Sequence, residues 1–378
     1  MIRCHAVLGL ILLGNVYAQA REPGQPEPGR TAYALPEDAN FTIRDVGIER
    51  IVAVKKDGAV SFTIAGSLRV PEGAGPDAGW PAVLWISGSG SQTRHGFAPA
   101  GGGRVLDAGS WEIHDAVARA GFVVLSTDDR GVGGTPLGEK GADPREIGYD
   151  ELVGDAQAAL DWLFEREEVD GERVFLIGHS EGGLTAPLLA SREEAVAGIV
   201  CMGAMGRNLW HVTYDQVAAT MKHLPEAMRE ANLKAQEELM RACKEDREPD
   251  FEVLGKAAAP QLEATWKTKV AAVKAWWHDH FHLDVPAIHR SVACPVFIAQ
   301  GEKDFQTRAD QDARRILTNV AGGPCADLSL RVYADLDHLF KPCGGKDSTM
   351  AMYFTDRRVD AGFLGDVVAW LQRRAGAR

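Results

Sequence analysis

One stretch constrains this chain more than any other: Val174-Phe175-Leu176-Ile177 runs into Gly178-His179-Ser180-Glu181-Gly182-Gly183. A β-branched and aromatic run stops at Gly-His-Ser-Glu-Gly, and an Ala/Leu-rich run from Leu184 to Ala190 follows at once. This order predicts a strand, a sharp turn and a helix, with Ser180 at the apex. Gly178 and Gly182 lie two residues either side of the serine, where any side chain would crowd the turn. The helix that opens after the serine points backbone N–H groups toward its hydroxyl, a setting for developing negative charge. The G-x-S-x-G pattern alone also occurs in ordinary strand–turn–helix units, so its meaning depends on the rest of the chain.

The surrounding texture is an alternation of strands and helices. Strand-like pieces span Ile48–Lys55 and Ser61–Val70, and short apolar runs follow at Pro81–Ser87, Phe122–Thr127, Val174–Gly178, Ile199–Met202, Val296–Gln300 and Leu328–Tyr333. Runs without polar alternation suit strands buried on both faces. Leu152, Ala156, Ala159, Leu160 and Leu163 share one helical face behind Asp150, an expected N-cap, and Leu364, Val367, Val368 and Leu371 repeat the pattern. The expected fold class is therefore α/β, a mostly parallel central sheet flanked by helices, with chemistry at the carboxyl ends of the strands. From Asn208 to His289 the alternation stops and helix-forming composition takes over, too long for a loop. The expected organisation is a core of 41–207 and 290–378 with a helical cap at 208–289.

The first twenty residues have the make-up of a secretory signal: Arg3, the apolar Ala6–Val16 and the small-x-small site Ala18-Gln19-Ala20. Cleavage after Ala20 and a secreted or periplasmic protein are the expectation, with residues 21–40, rich in proline, as a linker. The formal charge of −12 argues against nucleic acid or an anionic membrane as the main partner. No later segment has the length of a membrane span, so no stable membrane insertion is expected. Five cysteines follow the leader, an odd number, so a disulfide framework does not hold the fold together. Cys325 and Cys343 flank His338 and could bridge its loop; buried thiols are an equal reading.

A serine hydroxyl needs a base, and the base needs a group to fix its tautomer. Beyond His289 the only histidine is His338, in the loop after the last expected strand. The run Val296–Gln300 ends in Gly301-Glu302-Lys303-Asp304, which delivers acids to the sheet edge. Asp304 is the expected acid because the Gly301 turn lets it fold back over that edge. Glu302 is the main competitor, and Asp337 adjoins the histidine it would have to orient. The expected oxyanion donors are the backbone N–H of Glu181 and, from Ser87-Gly88-Ser89-Gly90-Ser91, that of Ser89.

These segments together resemble the α/β-hydrolase superfamily, and more narrowly bacterial serine esterases of the serine-aminopeptidase-like group. The resemblance runs from about Ser61 to the C-terminus through AGSLRVPEG, WISGSGSQTRHG, STDDRGVGGT, LIGHSEGGLTAPLLA, CPVFIAQGEKDFQT and DLDHLFKPC. It implies the α/β-hydrolase fold and hydrolysis of a small-molecule acyl ester through an acyl-enzyme, without a cofactor. Ser87 stands where many hydrolases carry histidine, a departure that bears on the second oxyanion donor. A peptidase or amidase on the same residues is the rival enzyme reading, and a silent hydrolase fold used for binding is the rival from another class.

Trp276-Trp277-His278-Asp279-His280-Phe281-His282 could suggest metal ligands, but at the end of a helix the histidines splay apart, and no metal site is expected. Trp276, Trp277 and Phe281 are better read as lining for an acyl group. Asp128-Asp129-Arg130 reads first as an ion pair bracing the sheet edge, and Gly101-Gly102-Gly103 as a flexible loop.

Overall fold

Each of the apolar runs becomes a strand of one eight-stranded sheet. The computed structural model describes residues 32–55, 58–100, 103–140, 142–222 and 224–376. The expected signal segment, its cleavage site, residues 21–31 of the expected linker and Gly101-Gly102 lie outside the described residues.

In chain order the elements are β1 (Phe41–Lys55), β2 (Gly58–Pro71), β3 (Trp80–Ile86), β4 (Phe97–Ala100), β5 (Arg104–Asp107), α1 (Ser110–Arg119) and β6 (Val123–Thr127). Then come α2 (Tyr149–Phe164), β7 (Val169–His179), α3 (Gly182–Ala190) and β8 (Val196–Met202). Four helices follow: α4 (Leu209–Thr220), α5 (Glu226–Lys244), α6 (Ala259–Thr265) and α7 (Lys274–His282). The chain ends with α8 (Val285–Arg290), β9 (Val296–Gly301), α9 (Arg314–Ala321), β10 (Leu328–Tyr333) and α10 (Ala361–Ala375).

The sheet order is β1-β2-β6-β3-β7-β8-β9-β10. Only the β1–β2 and β2–β6 pairs are antiparallel; every later pair is parallel. Register explains why the inner strands are uniformly apolar. Val83 lies beside Phe175, and Leu176 beside Ile199, so residues of both parities meet packed helices. Phe175, Ile177, Val200, Phe297, Phe363, Val367, Trp370 and Leu371 belong to one continuous core. At the sheet edge β10 keeps only Tyr333 buried, as an edge strand can. The order is α/β-hydrolase topology, as the sequence implies.

Local chemistry sets the helix ends. Asp360 caps α10 by accepting from the Phe363 N–H at 2.8 Å, and Asn208 caps α4 by accepting from the Trp210 N–H at 3.0 Å. Asp150, by contrast, lies inside the first turn of α2, which opens at Tyr149. A small hairpin, β4–β5, pairs Phe97 with Asp107; Gly103 belongs to its turn. Its four-residue strands are too short for alternation to stand out in the sequence.

The chain divides into two units. One carries the sheet; the other comprises residues 143–152 and 207–284. Residues 285–289, expected in the cap, form part of α8 in the sheet-bearing unit. Within the helical unit Asn208 Nδ2 donates to the carbonyls of His280 (3.0 Å) and Leu283 (3.1 Å), joining the start of α4 to the end of α7.

The five described cysteines are free thiols. The Cys325 thiol meets the Cys294 carbonyl oxygen at 3.2 Å, where β9 and β10 begin side by side. Cys343 is buried after the His338 loop, its N–H bonded to the Asp335 carbonyl. The structure therefore does not join Cys325 to Cys343: strand pairing carries Cys325 toward Cys294 instead.

Candidate active site

Ser180 sits between β7 and α3 with a φ of 55°, a left-handed conformation rare outside glycine. Its N–H donates to the Met202 carbonyl at 2.8 Å, which ties the turn to β8. The flanking glycines are required by contact. A Cβ on Gly178 would overlap the Gly182 carbonyl, and one on Gly182 would overlap the Ile86 carbonyl at the end of β3. Helix α3 is buried all round, so its opening turn is held rigidly under the serine.

The strands β9 and β10 bring the other two residues together. His338 Nδ1 lies 2.7 Å from Asp304 Oδ2, both side chains buried. The Asp304 carboxylate also accepts from Gln300 Nε2 (2.9 Å) and Thr307 Oγ1 (2.8 Å) on Oδ2, and from the Gln306 (2.7 Å) and Thr307 (3.0 Å) N–H groups on Oδ1. Burial acts to raise its pKa, but His338 and these donors outweigh it and hold the carboxyl below its ordinary range. Because the carboxylate can only accept, the imidazole proton facing it is on Nδ1, which leaves Nε2 for exchange.

Gly203 forms the floor between these groups. It follows Met202, the partner of Ser180, and a Cβ built on it would lie 3.2 Å from His338 Nδ1 and 3.4 Å from Asp304 Oδ2. A further side chain belongs here that the sequence did not single out. His179 Nε2 lies 2.8 Å from the His338 carbonyl oxygen. Burial, then proximity to His338, lowers its pKa to about 3, so it is neutral.

Glu302 is exposed and does not meet His338 in this arrangement. Asp337 is fully buried, but its oxygens serve the N–H groups of Leu339 (2.9 Å) and Lys341 (3.1 Å) and the guanidinium of Arg357 (2.7 Å). It shapes the loop on which His338 rides.

Ser89 and Gly90 top the loop after β3, and Gly90 has a φ of 92°. A Cβ on Gly88 would come within 3.0 Å of Ser180 Cβ, so the loop runs directly over the serine. Asp128, Asp129 and Arg130 divide their work. Asp128 is buried and accepts from the Arg94 guanidinium (2.7 Å) and the Gly134 N–H (2.7 Å), while Arg130 pairs with Asp155 (2.5 Å). Asp129 instead takes bonds from the loop over Ser180.

Trp276, Trp277 and Phe281 belong to the helical unit. Trp277 lies tilted at 5.4 Å from Phe281, which meets Trp210 at 5.3 Å, and Trp276 meets His280 at 4.5 Å. On α7 the histidines splay only in part: His280 packs on Tyr149 at 4.0 Å, whereas His278 and His282, one turn apart, share a face with their rings 4.4 Å from each other.

Comparison with known proteins agrees with this architecture. Residues 110–340, which take in Ser180, Asp304 and His338, match the family described as serine aminopeptidase, S33. Over 310 residues the chain is 26% identical to Esterase EstD of Thermotoga maritima, a match covering 82% of this chain and 65% of that protein. The chain thus spans just under two thirds of that relative's length. An esterase of Pyrococcus furiosus superposes with a TM-score of 0.52 at 16% identity, over 94% of this chain and 99% of that one. A hypothetical protein from Pseudomonas aeruginosa gives a TM-score of 0.52 at 14% identity, over 90% of this chain and 96% of its own. These structural likenesses speak to the fold alone. On the family match, which spans well over half of the chain, this protein belongs to the serine aminopeptidase S33 family of α/β hydrolases.

Proposed function

We propose that the protein is a serine hydrolase that cleaves carboxylic esters through an acyl-enzyme. The observation that carries this reading is the buried 2.7 Å contact between His338 Nδ1 and Asp304 Oδ2, beside a Ser180 held at positive φ. Ser180 Oγ attacks the acyl carbonyl while His338 Nε2 takes its proton. Asp304 keeps the imidazole in the right tautomer and stabilises it as it becomes charged. The Glu181 and Ser89 N–H groups stabilise the oxyanion. The alcohol leaves with the proton from His338, and water repeats the sequence to release the acid. The named relative, Esterase EstD, supports ester over amide chemistry.

Labelling with a fluorophosphonate tests the chemistry: the wild type is expected to react and Ser180→Ala is not. Absence of labelling in the wild type would falsify the catalytic reading and favour a binding role. The family's description favours a second reading, a peptidase on the same residues. Turnover of p-nitrophenyl butyrate against aminoacyl-p-nitroanilides separates the two, and faster anilide turnover would reverse the assignment. Export is a separate proposal carried by residues 1–20; an N-terminus at Arg21 in protein recovered outside the cytoplasm is its test.

A further inference from the structure

The loop over Ser180 has no regular secondary structure to hold it, yet its shape decides where the Ser89 N–H points. Its two ends converge on one side chain. Ser87 Oγ donates to Asp129 Oδ1 at 2.7 Å, and the Gln92 N–H donates to Oδ2 at 2.8 Å. The Asp129 N–H returns a bond to the Gln92 carbonyl at 3.0 Å. Gln92, itself buried, closes the loop from inside by donating Nε2–H to the Gly88 carbonyl at 3.1 Å.

We infer that Asp129 is a positioning residue for ester hydrolysis: its ionised carboxylate clamps Ser87 and Gln92, and so fixes the Gly88-Ser89-Gly90 turn in the shape that receives the oxyanion. The inference rests on the catalytic reading above. Only a carboxylate accepts at both oxygens; a protonated or amidated group keeps the acceptor for the Gln92 N–H but presents a donor to Ser87, whose hydroxyl must then turn to accept, and the charge-assisted bond at that end is lost. A turn released at one end moves its donor by a fraction of an ångström or more, and misplacement of about 1 Å costs on the order of 100-fold in rate.

The clamp is also set to respond to pH. Burial pushes the Asp129 carboxyl up to about 7, with Glu181 from the start of α3 and Asp128 from its own segment adding to the rise and the Ser87 and Gln92 bonds opposing it. The nearby cations are engaged elsewhere, Arg94 with Asp128 and Arg130 with Asp155. Well above about pH 7 both loop groups donate to a carboxylate; well below it Oδ1 carries a proton and the Ser87 bond reverses, the hydroxyl accepting, which resets the geometry at that end of the loop.

The test compares wild type, Asp129→Asn and Ser87→Ala with p-nitrophenyl butyrate at pH 6 and pH 8.5, and with a trifluoromethyl ketone that forms a tetrahedral adduct. At pH 8.5 Asp129→Asn is expected to lower kcat by about 10- to 100-fold and to weaken the ketone by a similar factor, with KM changed less than about threefold. The kcat ratio of wild type to variant is expected to shrink toward unity at pH 6; ionisation of the base is common to both proteins and cancels. Ser87→Ala, which removes one bond without touching the acid, is expected to show a smaller loss of the same kind and keeps the test open if Asp129→Asn does not fold. An active wild type with both variants unchanged at pH 8.5, or a variant defect confined to KM, overturns the clamp alone. A wild type that turns over no ester and takes no phosphonate overturns the catalytic reading along with it.

Discussion

His179 donates its Nε2–H to the backbone carbonyl of His338 across 2.8 Å, so the residue before Ser180 anchors the residue expected to serve it as base. A carbonyl can only accept, which fixes the proton on Nε2, and the depressed pKa keeps the ring neutral. The ring also stacks on Trp85 of β3 at 6.4 Å, so the anchor is itself held by the core. Elbow and base loop are thereby one rigid assembly.

Loss of that anchor is expected to appear in kcat. His179→Ala should lower kcat by about 10- to 100-fold with little change in KM, through misplacement of the imidazole. His179→Gln keeps an amide donor and should recover part of the loss. Steady-state kinetics on a short ester checks both; equal activity of all three proteins would remove His179 from the assembly.

Asp304 and Glu302 should separate cleanly. Asp304→Asn leaves the shape of the site but inverts the hydrogen bond to Nδ1, and kcat is expected to fall by about 10³- to 10⁴-fold. Glu302→Gln, on an exposed side chain, should stay within about twofold of wild type. A large loss in the second variant would exchange their roles.

Asp337 predicts a stability effect. Arg357→Met leaves its buried carboxylate with backbone donors only, which should cost about 3 kcal/mol of folding stability. Urea denaturation measures it, and a midpoint equal to wild type would show the pair to be dispensable.

The raised pKa of Asp129 has a thermodynamic counterpart. Its folded value of about 7 exceeds the ordinary 3.8, so between those values the native state holds a proton that the unfolded chain has released. Stability from this group is therefore present at low pH and lost as pH rises from about 4 to 7. Asp129→Asn cannot ionise, and its melting temperature should fall less than that of wild type between pH 5 and pH 8. Parallel melting curves would argue against the shift. A variant more stable but less active at pH 8 is the combined signature of the clamp.

Much of the fold was legible because parallel inner strands need apolar residues on both faces. Val296–Gly301 emerges with nearly the expected ends for that reason. The first strand begins seven residues earlier than its Ile48 expectation, at Phe41. Its outer half mixes polar and apolar residues against β2 and so carries no continuous signal. The β4–β5 hairpin and the transfer of residues 285–289 into the sheet-bearing unit escaped for a similar reason: short elements are defined by what they pack against.

The sequence by itself determined the local chemistry. A serine between two glycines, a single histidine beyond His289 and acids at a strand end are linear facts, and the strand–turn–helix pattern follows from hydrophobic order and steric need. Only the tertiary structure decided which carboxylate does which work. It sets Asp304 against His338, gives Asp337 to Arg357, gives Asp128 to Arg94 and turns Asp129 toward Ser87 and Gln92. The physical reason is that four acids of similar intrinsic chemistry are distinguished by the donors and burial around them, and those come from residues far apart in the chain.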